Sequence, residues 1–247
     1  FLFLNETLDP ANWTDEQVGR MIDELDAFKP VTFEANPSLL ARFCRRARQL
    51  GRRVFQPQLL VLTYEFPSIL HLRAAREVFS CPIASSYGAT EAGYVFMECA
   101  HGRFHQNTEY CRVDFLPWKA NCGGPAIGRM VVSTFHNPWC VLLRFDIGDL
   151  GRRAEAPCPC GCTDGIVLDA IEGRARNITR ASNGMPVTER MVDQAVAGVA
   201  QAKAALEAAR LNLERSERLF QRGIAAGKEV EDARAQSAVA DAGLEQA

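Results

Sequence analysis

Short apolar runs at residues 31–33, 59–64 and 82–86 alternate with helix-period patterns at 38–50 and 67–79, and this alternation constrains the fold more than any other feature of the 247-residue chain. Strands that take turns with helices pair in parallel, because each helix carries the chain back over one face of the sheet. From Tyr94 onward the pattern changes. Runs at 128–135 and 140–145, broken by Gly and Pro and with no helical period between them, predict an antiparallel β section. Residues 1–190 therefore read as α/β, a parallel sheet with flanking helices passing into antiparallel β.

A second composition takes over near residue 190. Every cysteine lies before residue 163 and every proline before residue 187, whereas residues 195–247 hold 16 alanines in 53 positions and one aromatic, Phe220. Ala195, Val199, Ala202, Leu206, Ala209, Leu213, Ser216 and Phe220 step by alternating fours and threes, the seam of a heptad. Val230, Ala233, Ser237, Ala240, Leu244 and Ala247 make a second seam, and the two glycines in residues 222–228 break the register between them. Residues 191–247 are expected to form an antiparallel α-helical coiled-coil hairpin with a small-residue seam. An Ala-rich exposed helix with no fixed partner has the same composition.

With 30 acidic against 28 basic residues there is no basic field to drive nucleic-acid binding, and no apolar run reaches the length of a bilayer span. The chain starts at Phe1 without the basic and apolar regions of a signal peptide, so it is expected to begin inside a longer protein. Nine cysteines, three of them crowded into residues 158–162, suit thiols or metal ligands in a reducing compartment better than a disulfide scaffold.

Ligands of doubly wound sheets sit outside the carboxyl ends of the strands, and the third strand here runs into Ser85-Ser86-Tyr87-Gly88-Ala89-Thr90-Glu91. Tyr87 offers an aromatic face for a base and Gly88 allows close backbone approach. Thr90 can donate to a phosphate, and Glu91 supplies the hard oxygen that magnesium prefers. A polar turn with no ligand would use the same residues.

Three signposts in order give the segment a resemblance. Tyr87-Gly88-Ala89-Thr90-Glu91, Arg144-Phe145-Asp146-Ile147-Gly148-Asp149 and Glu172-Gly173-Arg174 resemble the nucleotide motif, the ribose-binding strand and turn, and the hinge of adenylate-forming ligases of the phenylacetate–CoA ligase type. The resemblance implies an enzyme that uses ATP and magnesium to turn an aryl or related carboxylic acid into an acyl-adenylate, and then CoA to make the thioester. It gives adenine stacking to Tyr87, the phosphate to Thr90, Mg2+ to Glu91, the ribose hydroxyls to Asp149, and a hinge and nucleotide contact to Arg174. The family's further hinge acid is replaced around Arg176-Asn177. Taken singly, Asp149 could cap a turn and Arg174 could be a solvated charge.

Cys99-Ala100-His101-Gly102-Arg103-Phe104-His105 and Cys158-Pro159-Cys160-Gly161-Cys162 bring sulfur and imidazole donors to the short spacings that tetrahedral zinc selects. The same branch of ligases shows a Cys, a His six residues on, and a later Cys-Pro-Cys-Gly turn. The resemblance thus implies Cys99, His105, Cys158 and Cys160 as ligands of a structural Zn2+. Two β-turns with free thiols are the alternative. His71 and His136 have no partners in the sequence pattern and read as packed or surface residues.

The Ser/Thr/Gly-rich phosphate loop of the family is not found in residues 1–85, and Cys122-Gly123-Gly124-Pro125 lacks the Lys or Ser/Thr that such a loop needs. The resemblance to ligases stops near Val192, before the domain that delivers the adenylation lysine. From about residue 196, and most of all in residues 219–233, the chain is similar to the helical hairpin of periplasmic adaptors, the membrane fusion proteins of efflux pumps. Two readings follow. One is an acid–CoA ligase fragment in the cytoplasm with little turnover of its own; the other is a helical module that pairs with a partner or with itself through residues 195–247, the ligase part a passenger. The joined halves suggest a gene fusion or faulty sequence assembly.

Overall fold

The structure, a computed structural model, describes residues 2–4, 12–118, 127–135, 138–182 and 184–247; the glycine pair at 123–124 and His136 lie outside the described residues. Two compact units divide the chain, Phe1–Arg190 and Met191–Ala247.

The first unit opens with helix α1 (Asp15–Phe28), which alternation of strands and helices alone does not reveal. Its signal is local. Thr14 accepts from the Gln17 backbone while the Gln17 side chain accepts from the Thr14 backbone, a reciprocal cap spelled out by the sequence Thr-Asp-Glu-Gln. Strand β1 (Thr32–Ala35) follows, then α2 (Pro37–Gln49), β2 (Leu59–Leu62), α3 (Ile69–Arg76) and β3 (Ile83–Ala89). Both crossover helices start where the sequence offers a cap: Asn36 before Pro37 in α2, and Ser68 in α3. β1, β2 and β3 pair in parallel, with Phe33 beside Leu60 and Val61 beside Ala84. The core under this part gathers Val18, Met21, Ile22 and Leu25 of α1, Leu40, Phe43 and Cys44 of α2, and Leu60, Leu62 and Phe79. Cys44 is sealed among them, its thiol pushed up to about 12 by burial, so it packs rather than reacts.

At β3 the sheet changes character. β4 (Gly93–Glu98) turns back antiparallel on β3, and β5 (Phe104–Gln106), β6 (Cys111–Pro117), β7 (Ile127–Thr134), β8 (Phe145–Arg153) and β9 (Val167–Arg174) complete one nine-stranded sheet in the order β1-β2-β3-β4-β5-β9-β8-β7-β6. A second core of Val95, Phe96, Val113, Met130, Val132, Ile147 and Leu168 lies in this part. The expected strand at 140–145 is displaced: β8 begins only at Phe145, and residues 138–144 form an irregular connection. Arg144 adopts a left-handed φ of 49°, and Leu142 is held at the end of β7, its N–H donating to Thr134 Oγ1 and its O accepting from the Thr134 N–H. Trp139, Val141 and Leu143 stay exposed, so their apolar character finds no sheet face to cover. A short hairpin of β10 (Thr179–Arg180) and β11 (Pro186–Val187) ends the unit.

The second unit is helical. Helix α4 (Glu189–Gln221) supplies its first leg and α5 (Gly227–Gln246) its second. The turn between them follows from Gly223, left-handed at φ 71°: its N–H donates to Phe220 O and that of Ile224 to Leu219 O, the two bonds that close a helix end around a glycine. Ion pairs Arg210–Asp241 and Arg234–Glu217 run in opposite directions along the two helices, which sets them antiparallel. Positions 199, 202, 206, 209, 213 and 216 on α4 and 230, 233, 237, 240 and 244 on α5 are shielded, with Leu206 and Ala233 fully buried. Ala195, Phe220 and Ala247, the ends of the two expected seams, are exposed. No helix of the described residues is long and apolar enough to cross a membrane.

Candidate functional site

The carboxyl end of β3 carries Tyr87 and Gly88 into the turn that holds Thr90 and Glu91. Gly88 is required by contact: a Cβ there would lie 2.6 Å from Gly93 O, closer than a backbone atom tolerates. Thr90 and Glu91 are exposed on this turn, and Ala92 folds back under it with its N–H on Ala89 O.

Tyr87 is half-buried and reaches sideways. Its hydroxyl donates to Asp149 Oδ2 at 2.6 Å, and its ring packs on Phe96 with centroids 6.1 Å apart. Asp149 comes from β8, 62 positions later, and Arg174 from the paired position of β9. Arg174 Nε approaches Asp149 Oδ1 at 3.0 Å, and the same guanidinium donates to Ile147 O. Three residues from the three sequence signposts thus meet in one hydrogen-bonded chain, Tyr87–Asp149–Arg174. Thr90 and Glu91 stand on the adjoining turn, and the Glu91 charge reaches the group, acting to raise both the phenol and the carboxyl pKa.

Asp149 is 7% exposed, and this burial lifts its carboxyl above the usual range against the opposing pull of Tyr87 and Arg174. Tyr87 is pushed upward too, first by burial and then by the adjacent carboxylate. Both effects keep the phenol protonated, so it acts as a donor that aims Asp149. The sequence assigned Tyr87 its ring; the hydroxyl's work on Asp149 is a contact that only the fold reveals.

Behind this chain lies a second polar pair. Glu172 on β9, 1% exposed, accepts from Arg152 Nε at 2.6 Å and from Thr188 Oγ1 at 2.7 Å. Glu189 reaches back to the Arg174 amide at 3.3 Å and to the Asn177 side chain. Residues 188–189 are therefore fastened to the strand that carries Arg174.

The donor cluster of Cys99, His105, Cys158 and Cys160 assembles at the β4–β5 turn. One ligand atom from each lies within 4.8 Å of every other. Cys99 Sγ and Cys158 Sγ are 3.6 Å apart, and Cys160 Sγ is 3.3 Å from His105 Nε2. A zinc ion at the centre of a thiolate tetrahedron, with bonds of about 2.3 Å, requires edges of about 3.8 Å, so the spacing fits the metal with small adjustments. Cys162 lies outside the cluster and is exposed. Arg103 is the residue missed by motif reading: Nη1 donates to Ala156 O and Pro157 O, both at 2.8 Å, while Nε pairs with Asp169. It ties the loop bearing Cys158 and Cys160 to the turn bearing Cys99 and His105. His71, half-buried, sits in the first turn of α3, far in sequence from either cluster.

No family model matches the sequence, and no curated protein does. Solved structures do match in shape. A 2-hydroxyisobutyryl-CoA ligase in its postadenylation state, complexed with R3-HIB-AMP, superposes with a TM-score of 0.60 at 16% identity, over 76% of this chain and 41% of that one. An open conformation of that ligase, with 2-HIB-AMP and CoA, gives 0.59 at 17% identity, over 76% and 45%. The chain spans less than half the length of these proteins. At such identities the likeness concerns the fold: a mixed α/β sheet with flanking helices that matches part of an adenylate-forming CoA ligase.

Proposed function

We propose that residues 1–190 are a partial adenylation domain of an AMP-forming acid–CoA ligase of the phenylacetate–CoA ligase type, and that 191–247 are a helical hairpin domain. The observation that carries the reading is the Tyr87–Asp149–Arg174 chain at the carboxyl edge of β3, beside an exposed Thr-Glu turn. In such a site the protein mainly positions and neutralises. A carboxylic acid attacks the α-phosphate of ATP, pyrophosphate leaves, and CoA then displaces AMP from the acyl-adenylate. Asp149, its carboxylate aimed by the Tyr87 hydroxyl, accepts from the ribose hydroxyls; Tyr87 also walls the adenine, and Thr90 donates to the phosphate. Glu91 would hold magnesium, which draws charge off the departing pyrophosphate. Arg174 balances Asp149 and contacts the nucleotide.

No segment within residues 1–247 resembles the phosphate loop of the family or the stretch that carries its adenylation lysine. This chain alone is expected to bind nucleotide weakly and to turn over little, since charge-stabilising contacts of that kind are worth several kcal/mol of barrier each. Calorimetric titration of the full chain with AMP and with ATP–Mg2+ tests the reading. Wild-type binding that Asp149→Asn weakens at least tenfold supports it, and equal binding by both overturns the assignment of the ribose site. Rapid ATP–pyrophosphate exchange with phenylacetate by this chain would overturn the expected inactivity.

Cys99, His105, Cys158 and Cys160 fit a structural Zn2+, four protein ligands leaving no position for chemistry. Free-thiolate ligands and an ATP-using site both suit the cytoplasm. A second reading concerns the hairpin. The shielded rows on α4 and α5 favour a coiled-coil interaction module like that of efflux-pump adaptors, joined by gene fusion to a passenger ligase part. Co-purification with an outer-membrane factor after export would favour it; a cytosolic chain that ignores such a factor would exclude it.

A further inference from the structure

We infer that Glu34, Tyr64 and Tyr94 form the wall that receives the acid, and that they select an aromatic carboxylic acid bearing an amino or hydroxyl group away from its carboxyl end. The inference rests on the acid–CoA ligase reading and deepens it.

Three strands bring these side chains together. Glu34 lies near the carboxyl end of β1, Tyr64 two residues beyond β2, and Tyr94 on β4 directly opposite Gly88. The cluster is thus a cross-strand neighbour of the nucleotide motif, on the edge where parallel sheets bind ligands. The Tyr94 hydroxyl donates to Glu34 Oε1 at 3.0 Å, and the same carboxylate pushes the Tyr64 phenol above its ordinary pKa.

Tyr64 is held where a large side chain resists going. Its φ is 74°, a left-handed value at which Gly is ordinary and a bulky residue is strained. The loop is fastened at the next residue, where Glu65 accepts from Asn36 Nδ2 at 2.7 Å and from Ser38 Oγ at 3.0 Å. Yet the ring so held is 79% exposed, so core packing does not explain it. A strained backbone that displays an open aromatic face beside a nucleotide motif is suited to a ligand.

The chemistry of the wall narrows that ligand. Two phenol rings, with Tyr94 45% exposed, favour a flat partner. The Glu34 carboxylate between them repels phosphate and a second carboxylate, and it accepts from an ammonium or a hydroxyl. The acid's own carboxyl must point to the α-phosphate, so the donor belongs on the remote end of the ring.

The full chain is titrated with three non-hydrolysable adenosine sulfamates: one with no acyl group, one phenylacetyl, and one 4-aminophenylacetyl. The aminated probe should bind about tenfold more tightly than the phenylacetyl one, the usual worth of a charge-assisted hydrogen bond. Glu34→Gln should bring the two within about twofold while leaving the acyl-free probe unchanged. Tyr64→Gly removes the strain, so its Tm should hold or rise while both acyl probes weaken. Equal binding of the two acyl probes, or a Glu34→Gln variant that keeps the preference, overturns the inference alone. If no probe binds, the ligase reading falls and the inference with it. A Tyr64→Gly chain that binds all three probes unchanged shows that the ring receives nothing.

Discussion

Removing Arg152 should destabilise the first unit more than removing its partner Glu172. The two residues are unequally buried: the Glu172 side chain is fully enclosed at 0% exposure, whereas 26% of Arg152 reaches solvent. Arg152→Ala leaves a buried carboxylate that still accepts from the Thr188 hydroxyl but has lost its cation, and stranding one partner of a buried pair costs about 3–5 kcal/mol. Glu172→Ala instead leaves a guanidinium that can turn to water and removes the hydrogen bond between the buried Thr188 hydroxyl and Glu172, a cost of about 2–3 kcal/mol. For a unit of this size each kcal/mol moves Tm by roughly 2–4 °C, so Arg152→Ala should fall by about 6–20 °C and Glu172→Ala by about 4–12 °C. Tryptophan fluorescence reads the first unit alone, because Trp13, Trp118 and Trp139 all lie within it. Pairing Arg152→Ala with Glu172→Gln should recover part of the loss, since the stranded charge is then gone. A larger loss from Glu172→Ala than from Arg152→Ala, or losses below about 1 kcal/mol for both, would refute the reasoning from unequal burial.

Asp149→Asn should weaken AMP binding while becoming more stable relative to wild type as pH rises. Burial raises the folded-state pKa of Asp149 above its unfolded value, so its stabilising contribution is complete below the unfolded pKa and is lost as pH rises through the folded one. The Tm difference, variant minus wild type, should therefore grow between pH 4 and pH 7; a flat difference would count against a raised carboxyl. Gly88→Ala should cost about 1–3 kcal/mol, because its Cβ would press on Gly93 O, and should reduce AMP affinity, as read by melting and calorimetry. Purified chain should carry about one zinc, with Cys158→Ser losing it, and Arg103→Ala should weaken retention by about tenfold in a chelator competition while all four donors remain. In the second unit, Leu206→Ala should cost about 2–3 kcal/mol in the loss of helical circular dichroism on heating, whereas Leu211→Ala, at an exposed position, should cost under about 0.5 kcal/mol.

The parts legible in the sequence are those whose cause is local. Alternating apolar runs and helix periods led to β1–α2–β2–α3–β3 within a few residues, and Gly223 marked a turn because few other residues accept its φ. Helix α1 was equally local, since its Thr14–Gln17 cap stands in the sequence, but reading by alternation passes over it. Spacing drew attention to the sulfur and imidazole donors of two short segments, and the family resemblance picked out Cys99, His105, Cys158 and Cys160 among them, while the distance between those segments, 53 residues, is bridged by a long-range partner, Arg103, that carries no motif. The run at 140–145 failed for a related reason. Strand propensity measures fit to a half-buried pleated surface, and Val141 and Leu143 have the right side chains but stay exposed. Tyr64 is the sharpest case, because a strand-like residue in the run 59–64 ends up left-handed beyond the strand's last pair, at Leu62. Its neighbour Glu65 is held by Asn36 and Ser38, and Glu34 across the edge by Tyr94, contacts that come from distant parts of the chain. What a one-dimensional reading cannot supply is therefore the set of distant contacts that overrules local preference, and such contacts gather on the sheet edge where Tyr64, Tyr87 and Asp149 lie.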